Sequence, residues 1–268
     1  MSLPRAAVVI PARWASSRFP GKPLVGLRGA SGTVKPLIQR AWEAAMAAPG
    51  FAEVAVATDD ARVAEAARGF GAKVVMTPDT CRNGTERCAA ALPALESAPE
   101  VVVNLQGDAP LTPPWFLTAL HAAMADPEVA VATPVLRCDA EAHAAFLADR
   151  AAGRVGGTTA VFDARGRALY FSKEVIPFTG RTFADGDLCP VFHHVGVYAY
   201  RPAALAAYAG WPEGKLERWE GLEQLRFLEN GAPLACVEVE ARGRSFWEVN
   251  NPEDVPRVEA ALARAGLD

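Results

Sequence analysis

Arg13, Arg18 and Lys22 fall within one short stretch, Pro11-Ala-Arg-Trp-Ala-Ser-Ser-Arg-Phe-Pro-Gly-Lys-Pro23. It follows an apolar run, AAVVI (6–10), and its turn-forming residues leave little room for regular structure. Three cations on a loop at the head of a strand can neutralise a polyphosphate, with free backbone N–H groups as further donors. By charge alone the stretch is equally a solvated surface loop; its place at the strand end tips the reading toward phosphate. It is not a Walker A loop, because Lys22 is followed by Pro23 and Ser16 stands where the first glycine belongs. A second candidate is Asp108 in Asn104-Leu-Gln-Gly-Asp-Ala-Pro110, after another apolar run. A carboxylate there suits a hard divalent cation such as Mg²⁺, which completes its shell with water and phosphate. Without further context, an Asp capping a turn before Pro110 is the commoner outcome. The third is Arg82-Asn-Gly-Thr-Glu-Arg87, whose backbone amides could hold a base or phosphate at a helix start. Asn83-Gly84 is alternatively a tight turn.

Regular elements must hold these loops together. AAVVI (6–10), EVAVAT (53–58), AKVVM (72–76), VVVNLQ (101–106) and VAVATPV (129–135) read as strands buried on both faces. Between them, residues 36–48, 60–70, 85–97 and 114–126 have helical spacing, with Asp59 or Asp60 and Thr112 as candidate N-caps. Pro93 should kink or end the third of these helices. The alternation predicts right-handed crossovers and a Rossmann-like α/β fold, a mostly parallel sheet with helices on both faces. Ligands of such sheets bind beyond the carboxyl ends of the strands, where the three loops fall. After about residue 137 the texture becomes β-richer. Residues 158–172 read as a hairpin turning at Asp-Ala-Arg-Gly, 191–200 and 234–239 as strands, 217–231 as a helix with a glycine C-cap, and 252–266 as a closing helix with proline in its first turn. The expected division is a nucleotide-binding core over 1–139, a smaller β-rich insertion over 140–231, and a return to the core over 232–268.

The chain has 268 residues, 51% hydrophobic and 22% charged, enough for a large core without staples. Its 27 basic and 31 acidic residues give a net charge of −4, against a general nucleic-acid binder but not against a small anionic ligand. Five scattered cysteines without a C-x-x-C pair argue against a zinc ribbon and for a reduced, cytoplasmic setting. No apolar run is long enough to span a bilayer, and MSLPRAAVVIPAR has the wrong flanks for a secretory signal. G-x-G-x-x-G is missing after the first strand, which disfavours a dinucleotide-binding dehydrogenase.

The stretch VVIPARWASSRFPGKPL (8–24) resembles the N-terminal signature of the 3-deoxy-manno-octulosonate (Kdo) cytidylyltransferases. The resemblance continues through VATDD (56–60), NGTER (83–87), VVNLQGDAPL (102–111), ALYFSKEVIPF (168–178), HHVGVYAYR (193–201), LEQLRFLENG (222–231) and NNPEDVPRV (250–258), in order and over nearly the whole chain. It implies a nucleotide-diphospho-sugar transferase-like fold and a Mg²⁺-dependent enzyme coupling CTP to Kdo, with pyrophosphate as the other product. By motif match, Arg13, Lys22 and Asp108 would be catalytic. Ala12, Arg13, Arg18, Lys22, Asn83, Gly84 and Gln106 would bind the nucleotide. Gln106, His194, Tyr198, Glu223 and Gln224 would bind the sugar, and Asp108 and Asn250 the metal. His194 and Tyr198, four apart on one expected strand, would share a face. A homodimer is expected by analogy with the family, no nucleic-acid or membrane partner is expected, and the implied pathway is lipopolysaccharide assembly.

Several positions depart from the family's pattern. Asn250 stands where Asp is usual and brings no charge to a metal, which Glu248 could offset. Ala109 replaces a common Glu, Arg82-Asn83 replaces Gln-Ser, and Thr159 replaces Lys. The same reaction on another ulosonic acid, such as an amino-deoxy analogue, and a nucleotide-binding homologue with reduced turnover are therefore the alternatives.

Overall fold

The computed structural model describes residues 2–16, 18–155, 157–244 and 246–268. The first half alternates as expected: β1 (Ala6–Ala12), a hairpin of β2 (Gly26–Arg28) and β3 (Val34–Pro36), α1 (Leu37–Met46), β4 (Phe51–Thr58), α2 (Ala61–Gly69) and β5 (Lys73–Met76). α3 (Gly84–Ala91), β6 (Val101–Leu105), α4 (Pro114–Ala123) and β7 (Val131–Arg137) follow. The second half holds α5 (Ala140–Ala151), β8 (Thr158–Phe162), β9 (Ala168–Ser172), β10 (Phe192–His194), β11 (Val197–Tyr200) and α6 (Pro202–Gly210). It continues with α7 (Lys215–Glu220), α8 (Leu225–Glu229), β12 (Ala235–Glu238) and α9 (Asp254–Arg264). Strands from both halves share one ten-stranded sheet, ordered β5-β4-β1-β6-β11-β7-β10-β8-β9 with β12 beside β7. β5, β4, β1 and β6 are parallel neighbours, and β11 runs antiparallel between β6 and β7.

Every residue of β1 and β6 is buried, which is why their sequences run apolar without alternation. One face packs against α1, α2 and α4 through Ile38, Val63, Phe116 and Leu120. The other packs against α3, α6 and α8 through Cys88, Tyr208, Leu225 and Phe227. Helices therefore cover both sides, and the strand ends are the open surface left for a ligand.

Local chemistry sets most boundaries. Asp60 caps α2, its carboxylate accepting from the N–H groups of Arg62 and Val63. Thr112 caps nothing: α4 starts behind Pro113 with Pro114 at its first position, and the buried Thr112 hydroxyl has no hydrogen-bond partner among the described residues. Pro93 ends α3 at Ala91 in a 3₁₀ turn, because proline has no N–H for the next helical bond. The expected helix over 217–231 is two helices, broken at Gly221, whose φ of 62° leaves the helical region. The closing helix begins at Asp254 rather than Pro252, with Pro256 in its first turn. α5, α6 and the β2–β3 hairpin were not foreseen.

The expected single strand over 191–200 is β10 and β11. Both pair with β7, but the register slips by two residues at Val195–Gly196. That insertion lets β10 pair with β8 on its far side and β11 with β6. Bulges of this kind re-aim side chains, and this one lies beside Gln106 and Glu248.

Candidate active site

The loops after β1 and β6, the start of α3 and the segment before α9 enclose an open cleft of about 290 Å³. Ala12, Arg13, Arg18, Lys22, Asn83, Gly84, Gln106, Asp108 and Asn250 all line it. Cys81 and Arg87, which sequence reasoning did not single out, line it too, as does Arg82.

The first loop reaches the cleft by folding back on itself. Gly21 is left-handed at φ 72°, and its N–H donates to the Trp14 carbonyl at 3.0 Å. A Cβ there would come within 2.9 Å of the Trp14 ring, so glycine permits both the turn and the close approach. Lys22, next in sequence, sends Nζ to within 2.6 Å of Asp108 Oδ2. Arg13 and Arg18 are exposed and, among the described residues, form no ion pair. The loop thus presents two unneutralised guanidinium groups and one ammonium shared with a carboxylate.

Asn250 arrives from the other end of the chain. The Val249 N–H donates to the Asp108 carbonyl at 2.9 Å, and Val249 is buried with Leu27, Leu37, Leu111 and Val258. Asp254 then locks the turn: one carboxylate oxygen accepts from the N–H groups of Asn250 and Asn251, the other from the Trp247 indole. Asn250 Oδ1 is 3.5 Å from an Arg18 nitrogen, and Asn250 Nδ2 donates to Glu248 Oε2 at 3.3 Å. Burial and the nearby Asp108 carboxylate push the Glu248 carboxyl up to about 7, against the pull of Asn250, Lys22 and Arg18. Asp108, Asn250 and Glu248 form an oxygen-only donor set beside the cations, a chemistry that fits Mg²⁺.

α3 brings its N-terminus to the same place. Asn83 caps it, accepting from the Glu86 N–H at 2.9 Å, while its Nδ2 donates to the Tyr208 hydroxyl at 2.9 Å. The Thr85 N–H donates to Glu223 Oε2 at 3.1 Å. Protein acceptors therefore occupy the amides of Thr85 and Glu86, and Asn83 and Gly84 are the residues of this helix start that line the cleft.

Of the residues assigned to a sugar, only Gln106 lines the open cleft. Gln106 Nε2 donates to Glu223 Oε1 at 3.3 Å, Tyr198 donates to Gln224 Oε1 at 3.0 Å, and the His194 and Tyr198 rings lie 5.6 Å apart. These groups form one patch behind Gln106, with His194, Tyr198 and Gln224 buried. His194 and Tyr198 meet across the bulge between β10 and β11, not along one strand. The Thr133 hydroxyl lies 2.8 Å from the Val197 carbonyl and 3.0 Å from His194 Nε2. Its one proton serves the carbonyl, so it accepts from His194 Nε2–H and leaves Nδ1 as an acceptor. Burial keeps that imidazole neutral, pulling its pKa down to about 3.

The sequence also concealed the group that ties α3 to α7 and α8. The Arg226 guanidinium is 1% exposed and bonds both oxygens of Glu217, at 2.6 and 2.7 Å, and Glu86 Oε1 at 3.1 Å. It also stacks over Tyr208 at 4.1 Å. No sequence signal marks its burial.

Residues 7–239 match the family model for cytidylyltransferases. The chain is 44% identical to the 3-deoxy-manno-octulosonate cytidylyltransferase of Maricaulis maris (strain MCS10) over 259 residues, covering 96% of this chain and 97% of that protein. It is 39% identical to the mitochondrial 3-deoxy-manno-octulosonate cytidylyltransferase of Arabidopsis thaliana, covering 98% of this chain and 85% of that one. The chain belongs to the 3-deoxy-manno-octulosonate cytidylyltransferase family. Among solved structures it superposes on a CMP:2-keto-3-deoxy-manno-octonic acid synthetase complexed with CTP, with a TM-score of 0.82, 35% identity, and coverage of 97% of this chain and 99% of that one. Among the departures from this family's pattern, Asn250, Arg82 and Asn83 all line the cleft, and Glu248 lies within hydrogen-bond distance of Asn250. Thr159, a further departure, is 1% exposed and donates to the Glu174 carbonyl at 2.7 Å. It braces the hairpin end rather than facing the cleft.

Proposed function

We propose that this protein couples CTP to 3-deoxy-manno-octulosonate, giving CMP-Kdo and pyrophosphate. The observation that carries the reading is the convergence of Arg13, Arg18 and Lys22 with Asp108 and Asn250 on one cleft, in a chain of this family. Arg13, Arg18 and Lys22 bind the triphosphate and stabilise the charge that grows on the departing pyrophosphate. The anomeric hydroxyl of the sugar attacks the α-phosphorus in line; the new oxygen–phosphorus bond forms as the α–β bridge breaks, and its electron pair leaves with pyrophosphate. Positioning and charge neutralisation supply most of the rate in such transfers. Lys22, held by Asp108 in the free protein, exchanges that partner for phosphate oxygens.

Asp108 and Asn250, with Glu248 beside them, would hold Mg²⁺, which when bound supplies positive charge to the phosphates. Gln106 stands between the nucleotide cleft and the patch of His194, Tyr198, Glu223 and Gln224 that receives the sugar. Residues 140–231 supply most of that patch, which supports assigning the sugar side to them. The same segment carries Phe178 (93% exposed), Leu188 (80%) and Trp219 (88%), and β9 is an open sheet edge. Large exposed apolar groups mark association surfaces, so the active form is a homodimer built through this segment.

The test is direct. Purified protein with CTP, Mg²⁺ and Kdo should release pyrophosphate and form a CMP-sugar. CTP binding without pyrophosphate, across Kdo and an amino-deoxy analogue, would overturn the reading.

A further inference from the structure

Asn104 sits in the middle of β6 with none of its surface exposed, and neither end of its carboxamide has a hydrogen-bond partner among the described residues. An unpaired buried amide is costly, and native structures rarely keep one without a reason. An apolar residue would fill the position at no such cost, since Val102, on the same face of the strand, is fully buried in an apolar cluster.

The surroundings supply the reason. The α-carbon face of Gly84, at the start of α3, covers two carboxamides at once. A Cβ placed there would lie 2.8 Å from Gln106 Nε2, 3.0 Å from Gln106 Oε1 and 3.2 Å from Asn104 Nδ2. The two side chains are therefore neighbours under one glycine, with no hydrogen bond between them among the described residues. Among the described residues, the Gln106 side chain is held only by a long bond to Glu223 at 3.3 Å, and its Oε1 has no donor. Gly196 leaves space on its other side, where a Cβ would be 4.0 Å from Gln106 Cγ. Gln106 is thus loosely placed at the junction of nucleotide and sugar, with an unused donor directly behind it.

We infer that Asn104 is a positioning residue for Gln106: when the sugar enters, Asn104 Nδ2 donates to Gln106 Oε1 and turns the Gln106 NH₂ toward the sugar. The cost of a buried amide in the free protein is offset by a fixed Gln106 in the loaded one. The inference rests on the cytidylyltransferase reading above.

The test uses Asn104→Leu, which keeps the number and branching of the side-chain heavy atoms and removes the unpaired polar group. The variant should melt at the wild-type temperature or higher, bind CTP within twofold of wild type, and show a sugar KM raised about tenfold. In a Gln106→Leu background, the same substitution should raise KM no further, because Asn104 acts through Gln106. An unchanged sugar KM, or an equal additional loss in the Gln106→Leu background, would overturn the inference. Should Asn104→Leu not fold, Asn104→Ser, too short to reach Gln106, is expected to raise KM in the same way, and an unchanged value there overturns the inference equally. Wild-type turnover measured alongside separates the two readings. No pyrophosphate from wild type counts against the function itself, whereas normal wild-type turnover with normal variant KM counts against Asn104 alone.

Discussion

Asp108 meets three demands at once: it pairs with Lys22, its carbonyl anchors Val249, and its carboxylate faces the cleft. Asp108→Asn keeps the shape and the backbone bond but removes the charge. Its kcat should fall about 10²- to 10³-fold, with circular dichroism and melting unchanged; near-normal turnover would take Asp108 out of the metal site. Asn250→Asp is the converse experiment. A second carboxylate beside Glu248 should bind a hard cation more tightly and lower the Mg²⁺ concentration for half-maximal rate several-fold, as a Mg²⁺ titration of pyrophosphate release would show. His194 gives a pH test of stability rather than rate. Its folded pKa, near 3, lies below the ordinary value of 6.5, so below pH 6.5 the unfolded chain binds a proton that the native protein refuses. Stability is fully present above pH 6.5 and falls as pH drops toward 3, by about 1.4 kcal/mol per pH unit for this group. His194→Gln should lose less stability than wild type between pH 6.5 and 5 in denaturant titrations; parallel losses would place a charged imidazole there.

At the scale of elements, α3 is tied to the α7–α8 pair because Arg226 bonds Glu217 and Glu86 directly. Arg226→Met strands the Glu217 carboxylate in the interior, while Glu86 keeps Arg82 as a partner, and unfolding free energy should drop by about 3–5 kcal/mol in urea titrations. Adding Glu217→Gln should recover part of that loss, since less charge then remains unpaired. None of this was legible in LEQLRFLENG, which the sequence placed within one helix over 217–231. Helical periodicity reports which residues share a face but not what lies against it, and Gly221 ends α7 in a left-handed turn, at φ 62°, that the spacing does not show. The bulge at Val195–Gly196 was hidden for a related reason: VFHHVGVYAY alternates only in part, and nothing in its pattern shows a two-residue slip. By contrast, the Asp60 cap, the hairpin turn at 163–166 and the stop at Pro93 were legible, because each depends on groups within a few residues.

For the molecule as a whole, the sheet decides which loops meet. β11 lies between β6 and β7, so residues from the second half complete the pocket behind a strand of the first. That arrangement leaves β9 as an open edge near Phe178 and Trp219. Trp219→Asp combined with Phe178→Asp should shift the protein from dimer to monomer in sedimentation equilibrium while each chain keeps its fold. A wild type that sediments as a monomer at tens of micromolar would remove the dimer.

The amino-acid sequence by itself determined the α/β alternation, the cationic loop at the first strand end and the family, because these rest on local preferences and on motifs that keep their order. Only the tertiary structure decided that Asn250 reaches Asp108 from the far end of the chain, that Asn104 lies unpaired beneath Gly84, and that Arg226 is interior. Those facts depend mostly on contacts between residues far apart in sequence, such as Val249 with Asp108 and Arg226 with Glu86, and local spacing carries no information about distances that close only when the sheet assembles.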